Sequence, residues 1–396
     1  MLTSLNLVLG VITLALSAIS MFFALQCVLG VFPNRSKTAT SSARPPAALL
    51  VPAHNEEGNI MAVLNSLKPQ VQQHDRIIVV ADNCSDRTAE LALGAGAEVV
   101  TRRDEERRGK GYALHAGLEY LAIDPPPIVV MIDADCIAAP GAIDILITEV
   151  ATHGRPVQGR YLMVAPPTQP LQTGLAQFAF FIKNHVRPLG LSRLGLGCQL
   201  TGSGMAFPWI CLTRVDLCHG HLVEDMKLGL ELAMEGFSPR YCEAAYITSE
   251  FPQSGLGLNS QRQRWEKGRA QLVGDLLRLF LVQLIQRNRH AFSLVLDALV
   301  PPILLLVVIL TVHTIVVGLL ILIGATAWPF MVSLANLMMV IAVLSSVLLV
   351  QDCKISARSA IKSLPSFVRD RLRIYSSLVT RGNNGWVRTH RSTDDI

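Results

Sequence analysis

Asp133-Ala134-Asp135, Glu224-Asp225 and Gln261-Arg262-Gln263-Arg264-Trp265 are three clusters whose residue types could do chemistry together. Asp133 and Asp135 close an apolar run. At i and i+2 of an extended segment their side chains share one face, so both carboxylates can approach one ligand. Carboxylate and phosphate oxygens together suit Mg2+ or Mn2+. Glu224-Asp225 heads a helical pattern at 226–234, where the helix N-terminus lowers a carboxylate's pKa and burial raises it. Such a pair can take a proton from an attacking hydroxyl. Gln261, Arg264 and Trp265 stand three and four residues apart, hence on one helical face. Arginine there can pair with phosphate oxygens, and tryptophan offers an apolar plate to a sugar ring. The plainer roles are a solvated strand end, a helix cap and an ordinary amphipathic helix. Taken together, the three clusters predict metal-assisted transfer of a sugar from a nucleotide.

The elements before Asp133 must present it at an edge. Residues 47–51 read as a short buried strand ending at Pro52-Ala53-His54-Asn55-Glu56, followed by a helix over 59–67. A second strand at 76–81 stops at Asp82, a helix follows at 87–93, and a third strand covers 97–101. After a helix at 110–121, a fourth strand at 127–132 runs into Asp133. Continuous apolar strands alternating with helices predict an α/β fold with a mostly parallel sheet covered on both faces. Ligands of such sheets bind at the carboxyl ends of the strands. There, Asp82 could accept from the imide N–H of a uracil, and His54, Asn55 and Glu56 could hold the base or ribose. Asp86 reads as a cap of the next helix. Lys110, in Arg108-Gly109-Lys110-Gly111, reads as a flexible basic position near a diphosphate. Thr201-Gly202-Ser203-Gly204 lets backbone approach closely, so Gly202 and Ser203 could wall an acceptor. Gly195-Leu196-Gly197 follows no strand and is no dinucleotide loop.

The 396 residues are 51% hydrophobic and only 16% charged, too apolar for an ordinary cytosolic enzyme. The excess lies at the two ends. Residues 1–33 carry no charged side chain, and the apolar run at 7–32 exceeds the roughly 20 residues that cross a bilayer. The first charges, Arg35 and Lys37, come after this run, so it reads as an anchor rather than a cleaved leader. Residues 294–323 and 328–350 form a second and third apolar stretch around a four-residue join. Asp297, Pro301 and Pro302 disturb the first of them, so its span begins near Ile303. The tail at 351–396 is rich in arginine and lysine, which makes it cytoplasmic by the positive-inside rule. Arg35 and Lys37 put the central region on the same side, with the N-terminus outside. Juxtamembrane charge then accounts for much of the net charge of +5 and calls for no nucleic acid. The eight cysteines form no CxxC pair, and Cys211, Cys218, His219 and His221 fit no usual zinc spacing. The expected organisation is an anchor at 1–33, a linker at 34–46, a catalytic domain at 47–268, an amphipathic interface helix at 269–293, a transmembrane hairpin at 294–350 and the basic tail. Residues 171–189 read as a further aromatic helix that could lie against the membrane.

From Ala47 to Trp265 the order of these motifs resembles the membrane-embedded glycosyltransferase family 2 enzymes, which include cellulose, chitin, hyaluronan and poly-N-acetylglucosamine synthases. The resemblance implies a cytoplasmic, Rossmann-like GT-A fold at the inner membrane of a bacterium, a UDP-sugar donor, Mg2+ or Mn2+, and inversion at the anomeric carbon. It implies that Asp82 contacts uridine, that Asp135 meets the metal and diphosphate with support from Asp133, and that Asp225 is the general base. Gln261, Arg264 and Trp265 match its Gln-x-x-Arg-Trp motif, which lines the acceptor site and contacts the diphosphate. Val223-Glu224-Asp225 departs from the Thr-Glu-Asp of many such synthases but keeps both carboxylates. Three expected spans are fewer than the large synthases use for a polymer channel, so a homo-oligomer could complete one. The expected product is an exopolysaccharide. The alternative is one sugar added to a lipid or polyprenyl-linked acceptor, and a remoter one is an inactive nucleotide-sugar-binding subunit.

Overall fold

The computed structural model describes residues 2–32, 44–165, 171–252 and 255–350, together with Arg369. The basic tail expected at 351–396, Arg369 apart, and most of the linker expected at 34–46 lie outside the described residues. The elements begin with α1 (Leu2–Val31), β1 (Ala47–Ala53), α2 (Ile60–Leu67), β2 (Arg76–Asp82), α3 (Thr88–Gly94) and β3 (Glu98–Arg102). Then come α4 (Lys110–Leu121), β4 (Ile128–Met131), β5 (Ile137–Ala138), α5 (Ala142–His153) and β6 (Val157–Val164). Next, α6 (Leu171–Phe181) passes through a π-helical turn, Ile182–Val186, into α7 (Arg187–Arg193). β7 (Met205–Pro208), α8 (Trp209–Leu212), α9 (Glu224–Met234) and β8 (Arg240–Glu250) follow. The last helices are α10 (Gly255–Gln286), α11 (Arg289–Leu299), α12 (Ile303–Ile321) and α13 (Trp328–Val350).

Alternation along the buried strands decides how the layers form. Leu49 and Val51 of β1 and Val79 of β2 face α2, α3 and α5, where Ile60, Leu64, Ala92, Ile143 and Leu146 close one core. Leu50, Ile78 and Val80 face the other way, onto Ala113, Leu114 and Leu121 of α4 and Leu228 and Leu232 of α9. The sheet is therefore covered on both faces, as the unbroken apolar runs predict. Its order is β3-β2-β1-β4-β7-β6-β8-β5. The first four strands form a fully parallel block. β7 enters antiparallel between β4 and β6 and β5 lies antiparallel to β8, while β6 and β8 pair in parallel, so the sheet is mostly parallel with antiparallel insertions. The reversal has a local use. β7 starts where β4 ends, which brings the loop before it, Gly202-Ser203-Gly204, against Asp133. The Gly204 amide donates to the Met131 carbonyl at 3.0 Å.

Among the described residues, three helices are long and apolar enough to cross a membrane: Thr3–Val31, Ile303–Ile321 and Trp328–Val350. Phe23 and Cys27 of α1 pack with Leu306 and Leu310 of α12, Val340 of α13 and Ile182 and Val186 of the π turn. The expected aromatic helix at 171–189 thus lies against the apolar helices rather than apart from them. At its end the contact is backbone to backbone: a Cβ built on Gly190 falls 2.0 Å from the Gln26 carbonyl oxygen of α1.

The interface helix expected from residue 269 is instead the second half of α10, which starts at Gly255 and carries Gln261, Arg264 and Trp265 in its first half. No proline interrupts the chain between Pro252 and Pro301, so nothing stops the helix at 268. Leu272 and Leu276 are buried against Val223, Met226 and Leu230 of the catalytic layer and against α11. Further along, Leu281, Leu284 and Ile285 are exposed. The first part of that half is core, and its end leaves apolar side chains exposed.

Candidate active site

The carboxyl edge of the parallel block is cross-stitched before it meets any ligand. The His54 ring donates from Nδ1 to the Asp82 carbonyl at 2.7 Å. Asn55 and Asn83, at the ends of β1 and β2, both take left-handed backbone angles, φ 53° and 51°, which asparagine tolerates better than most residues. Asn55 Oδ1 accepts from the Ser85 amide, and Asn83 Oδ1 from the Asp104 amide, each at 2.8 Å. Asp86 accepts from the amides of Glu57 and Thr88, the structural role expected of it. Asp82 Oδ1 receives Arg102 at 2.7 Å and Asn83 Nδ2 at 3.1 Å. Burial pushes the Asp82 carboxyl above the usual range, against the pull of Arg102.

One strand further, a cavity of about 270 Å³ gathers the three clusters. Asp133 and Asp135 lie just beyond β4, Lys110 opens α4, Glu224 and Asp225 open α9, and Gln261, Arg264 and Trp265 come from α10; all of them line it. His54, Asn55, Glu56 and Asp82 are not in this lining; they stand on the neighbouring strand ends. Lys110 is not a flexible loop residue. Its ammonium pairs with Asp133, donates to the Gly202 carbonyl at 2.7 Å and lies 3.8 Å from Glu224. Gly202 has φ +96°, where a side chain is strained, and a Cβ there would stand 3.4 Å from Asp225 Oδ2, 3.6 Å from Lys110 Nζ and 3.8 Å from Asp133 Oδ2. Glycine at this point lets the backbone sit among the charges. Ser203 is fully buried and lies beneath the cavity rather than in its wall. Its Oγ accepts from the Asp133 amide at 3.0 Å and so fixes the backbone at Asp133.

Burial raises the Asp133 carboxyl; Lys110 opposes this and Asp135 adds to it. Burial would depress the Lys110 ammonium, but Asp133, Glu224 and Asp225 outweigh it and raise its pKa. Glu224 is pushed up from 4.5 to about 7, by burial first, with Lys110 lowering and Asp225 raising it. A carboxyl raised in this way holds its proton more tightly folded than unfolded. Its contribution to stability is thus complete below about 4.5 and lost as pH rises through about 7. Glu224→Gln is expected to remove that loss. The check is the thermal midpoint against pH for both proteins in EDTA; parallel profiles from pH 4.5 to 7 would refute it.

The ligand atoms of Asp133, Asp135 and Cys136 lie within 4.8 Å of one another. Burial, with Asp135 and Asp133 beside it, pushes the Cys136 thiol well up, so it stays protonated. The donors left are carboxylate oxygens, which fit a hard divalent cation. The Lys110 ammonium already places a cation against Asp133, which supports the fit.

Sequence reasoning passed over Lys183 and Arg187, which also line the cavity. Lys183 sits on the π turn, its Nζ 6.0 Å from the Trp265 ring centroid. Trp265 in turn packs on Phe180, ring centroids 6.0 Å apart, and so belongs partly to the core. The available signal was Lys183 and Arg187 four residues apart at the end of an aromatic run.

The architecture is the GT-A fold: a Rossmann-like parallel block continued by a mixed sheet, with carboxylates at the edge where the two meet. The model of the family described as glycosyltransferase like family 2 matches residues 45–268, and the chain belongs to that family. The probable glycosyltransferase YdaM of Bacillus subtilis is 24% identical over 261 residues, 63% of this chain and 61% of that one. An uncharacterised glycosyltransferase of Mycobacterium tuberculosis is 38% identical over 117 residues, 30% of this chain and 49% of its own. The chain therefore spans less than two thirds of either relative. The solved mannosyltransferase PcManGT of Pyrobaculum calidifontis, in complex with GDP-Man and Mn2+, superposes with a TM-score of 0.55 at 15% identity, over 97% of this chain and 100% of that one. At that identity the likeness concerns the fold.

Proposed function

We propose that this chain is an inverting, metal-dependent transferase that moves a sugar from a UDP-sugar to an acceptor delivered by the membrane, in the synthesis of a bacterial surface polysaccharide or glycolipid. The observation that carries the reading is the convergence of Asp133, Asp135, Asp225 and Trp265 on one cavity whose lining also includes Pro302 and Ile303, at the start of α12. Asp135 and Asp133 would hold Mg2+ or Mn2+, which neutralises charge on the departing diphosphate. Lys110 offsets the acidic edge, and Asp82 with His54, Asn55 and Glu56 would receive the nucleoside. Asp225 takes the proton of the acceptor hydroxyl as that oxygen bonds to the anomeric carbon. The bond from this carbon to the diphosphate breaks, UDP leaves, and a single displacement inverts the centre. Asp225 Oδ1 accepts from the Met226 amide at 2.7 Å, so the helix start orients the base. The protein would lie in the inner membrane with the catalytic domain and C-terminus inside and the N-terminus outside.

Between a growing polymer and a lipid-linked acceptor, packing favours the lipid. Phe23, Leu306, Leu310 and Val340 fill the centre of the apolar helices, all four at 0% exposure. Of the polar side chains buried among these helices, Thr13 bonds to His313, Thr314 to Ser333 and Asn336 to Ser17. UDP release from a panel of UDP-sugars by the detergent-solubilised chain is expected to depend on a lipid acceptor, to stop in EDTA and to return with Mn2+ or Mg2+. Metal-independent release, or release only from another nucleotide sugar, would overturn the proposal.

A further inference from the structure

We infer that Lys183 grips the phosphate of a phosphate-bearing lipid acceptor at the membrane end of the cavity. The inference rests on the membrane-delivered acceptor proposed above and adds its headgroup chemistry. Lys183 is carried by a π turn, a local widening of the helix that recurs at functional sites. The turn aims the ammonium over Trp265, while its neighbours Ile182 and Val186 pack among α1 and α12. Three other cations around the cavity are engaged. Arg187 pairs with Asp297 at 2.6 Å, Arg269 donates to the carbonyls of Ala298 and Val300, and Lys110 pairs with Asp133. Among the described residues no ion pair holds Lys183.

Two features separate this position from the donor's diphosphate. The charges that act on Lys183 are Asp225 on the catalytic side and Arg269, Arg187 and Asp297, of α10, α7 and α11, on the side of the apolar helices. Arg264, by contrast, acts on Glu224. Lys183 is exposed where it lines the cavity, so an anion entering there can reach its ammonium. The second feature is the wall. Ala176, Ala179, Phe180, Pro302 and Ile303 share the lining, and Ile303 opens a span-length helix. A cation beside an apolar wall continuous with such a helix fits an amphiphile with an anionic head.

The test uses the whole chain in a neutral detergent. Calorimetry compares farnesyl phosphate with farnesol and dioleoyl phosphatidic acid with dioleoylglycerol, with UDP titrated in parallel. The wild type is expected to prefer each phosphate over its alcohol by about tenfold, the scale of one charge-assisted contact. Whichever phosphate shows the larger preference identifies a prenyl or a glyceride source. Lys183→Met is expected to abolish the preference and Lys183→Arg to keep most of it, with UDP affinity unchanged in both. No preference in the wild type would overturn the inference. So would a loss of UDP affinity in Lys183→Met that matches its loss of lipid affinity, which would assign the lysine to the donor. Failure of the wild type to bind UDP would count against the nucleotide-sugar reading instead, and the lipid comparison would still decide the role of Lys183.

Discussion

Asp225→Asn is expected to lower the rate of sugar transfer by about 10²–10⁴-fold, the usual contribution of a positioned base, while UDP binding persists. The choice of Asp225 over its neighbour follows from what surrounds each. Glu224 lies 3.8 Å from the Lys110 ammonium and is raised to about 7, so near neutrality much of it already holds a proton. A protonated carboxyl cannot accept another. Asp225 receives the Met226 amide on Oδ1, and its Oδ2 faces Gly202, where only a hydrogen stands between backbone and carboxylate. Asparagine keeps the shape and can still bond to the helix start, so the variant separates proton removal from architecture. Transfer of radiolabelled sugar, with UDP calorimetry as the control for folding, measures both. Turnover at the wild-type rate in Asp225→Asn, or complete loss in Glu224→Gln with Asp225→Asn still active, would move the base to Glu224.

What could be read from the sequence is what short-range chemistry determines. The apolar runs that became β1, β2 and β4 are unbroken because both faces of the sheet are covered, and each run ends in a polar residue at the same edge. Helix α4 was legible to the residue, since Gly109 before and Leu121 at its end bound a clear pattern. The direction of β7 was not, because a four-residue apolar strand has the same composition whichever way it pairs. Ser203 was misplaced for a related reason: whether a small hydroxyl lines a cavity or bonds to backbone beneath it depends on β7 lying against β4. The continuity of α10 was obscured by its change of surroundings, with Trp265 beside Phe180, Leu276 in the catalytic layer and Ile285 in the open. Lys183 was hidden by the π turn, which shifts the helical phase by one residue and has no compositional mark.

Asp297 was legible only as a disturbance in an apolar stretch, and it is where the second large effect is expected: Asp297→Ala should cost about 3–5 kcal/mol of stability, as breaking a buried ion pair does. Arg187 of α7 donates from Nη2 to Asp297 Oδ1 at 2.6 Å and to the Asp297 carbonyl at 2.9 Å. Its Nε donates to Gln26 Oε1 of α1 at 3.0 Å, and Gln26 Nε2 donates back to Asp297 Oδ1 at 2.5 Å. The two charged side chains are 6% and 11% exposed. Removing the carboxylate strands a guanidinium that water hardly reaches, and the backbone contact of Gly190 with Gln26 leaves α7 little room to retreat from α1. Gln26→Leu removes a neutral partner and is expected to cost less, about 1–3 kcal/mol. The double change Arg187→Met with Asp297→Leu should restore most of the loss, because two well-packed apolar groups replace the pair without an orphaned charge. Thermal unfolding in detergent ranks the three variants. If Asp297→Ala unfolds with the wild type, or the double variant unfolds no later than Asp297→Ala, the pair does not join α1 to the catalytic layer. Since Arg187 also lines the cavity, loosening this junction is expected to raise the acceptor KM before UDP binding changes.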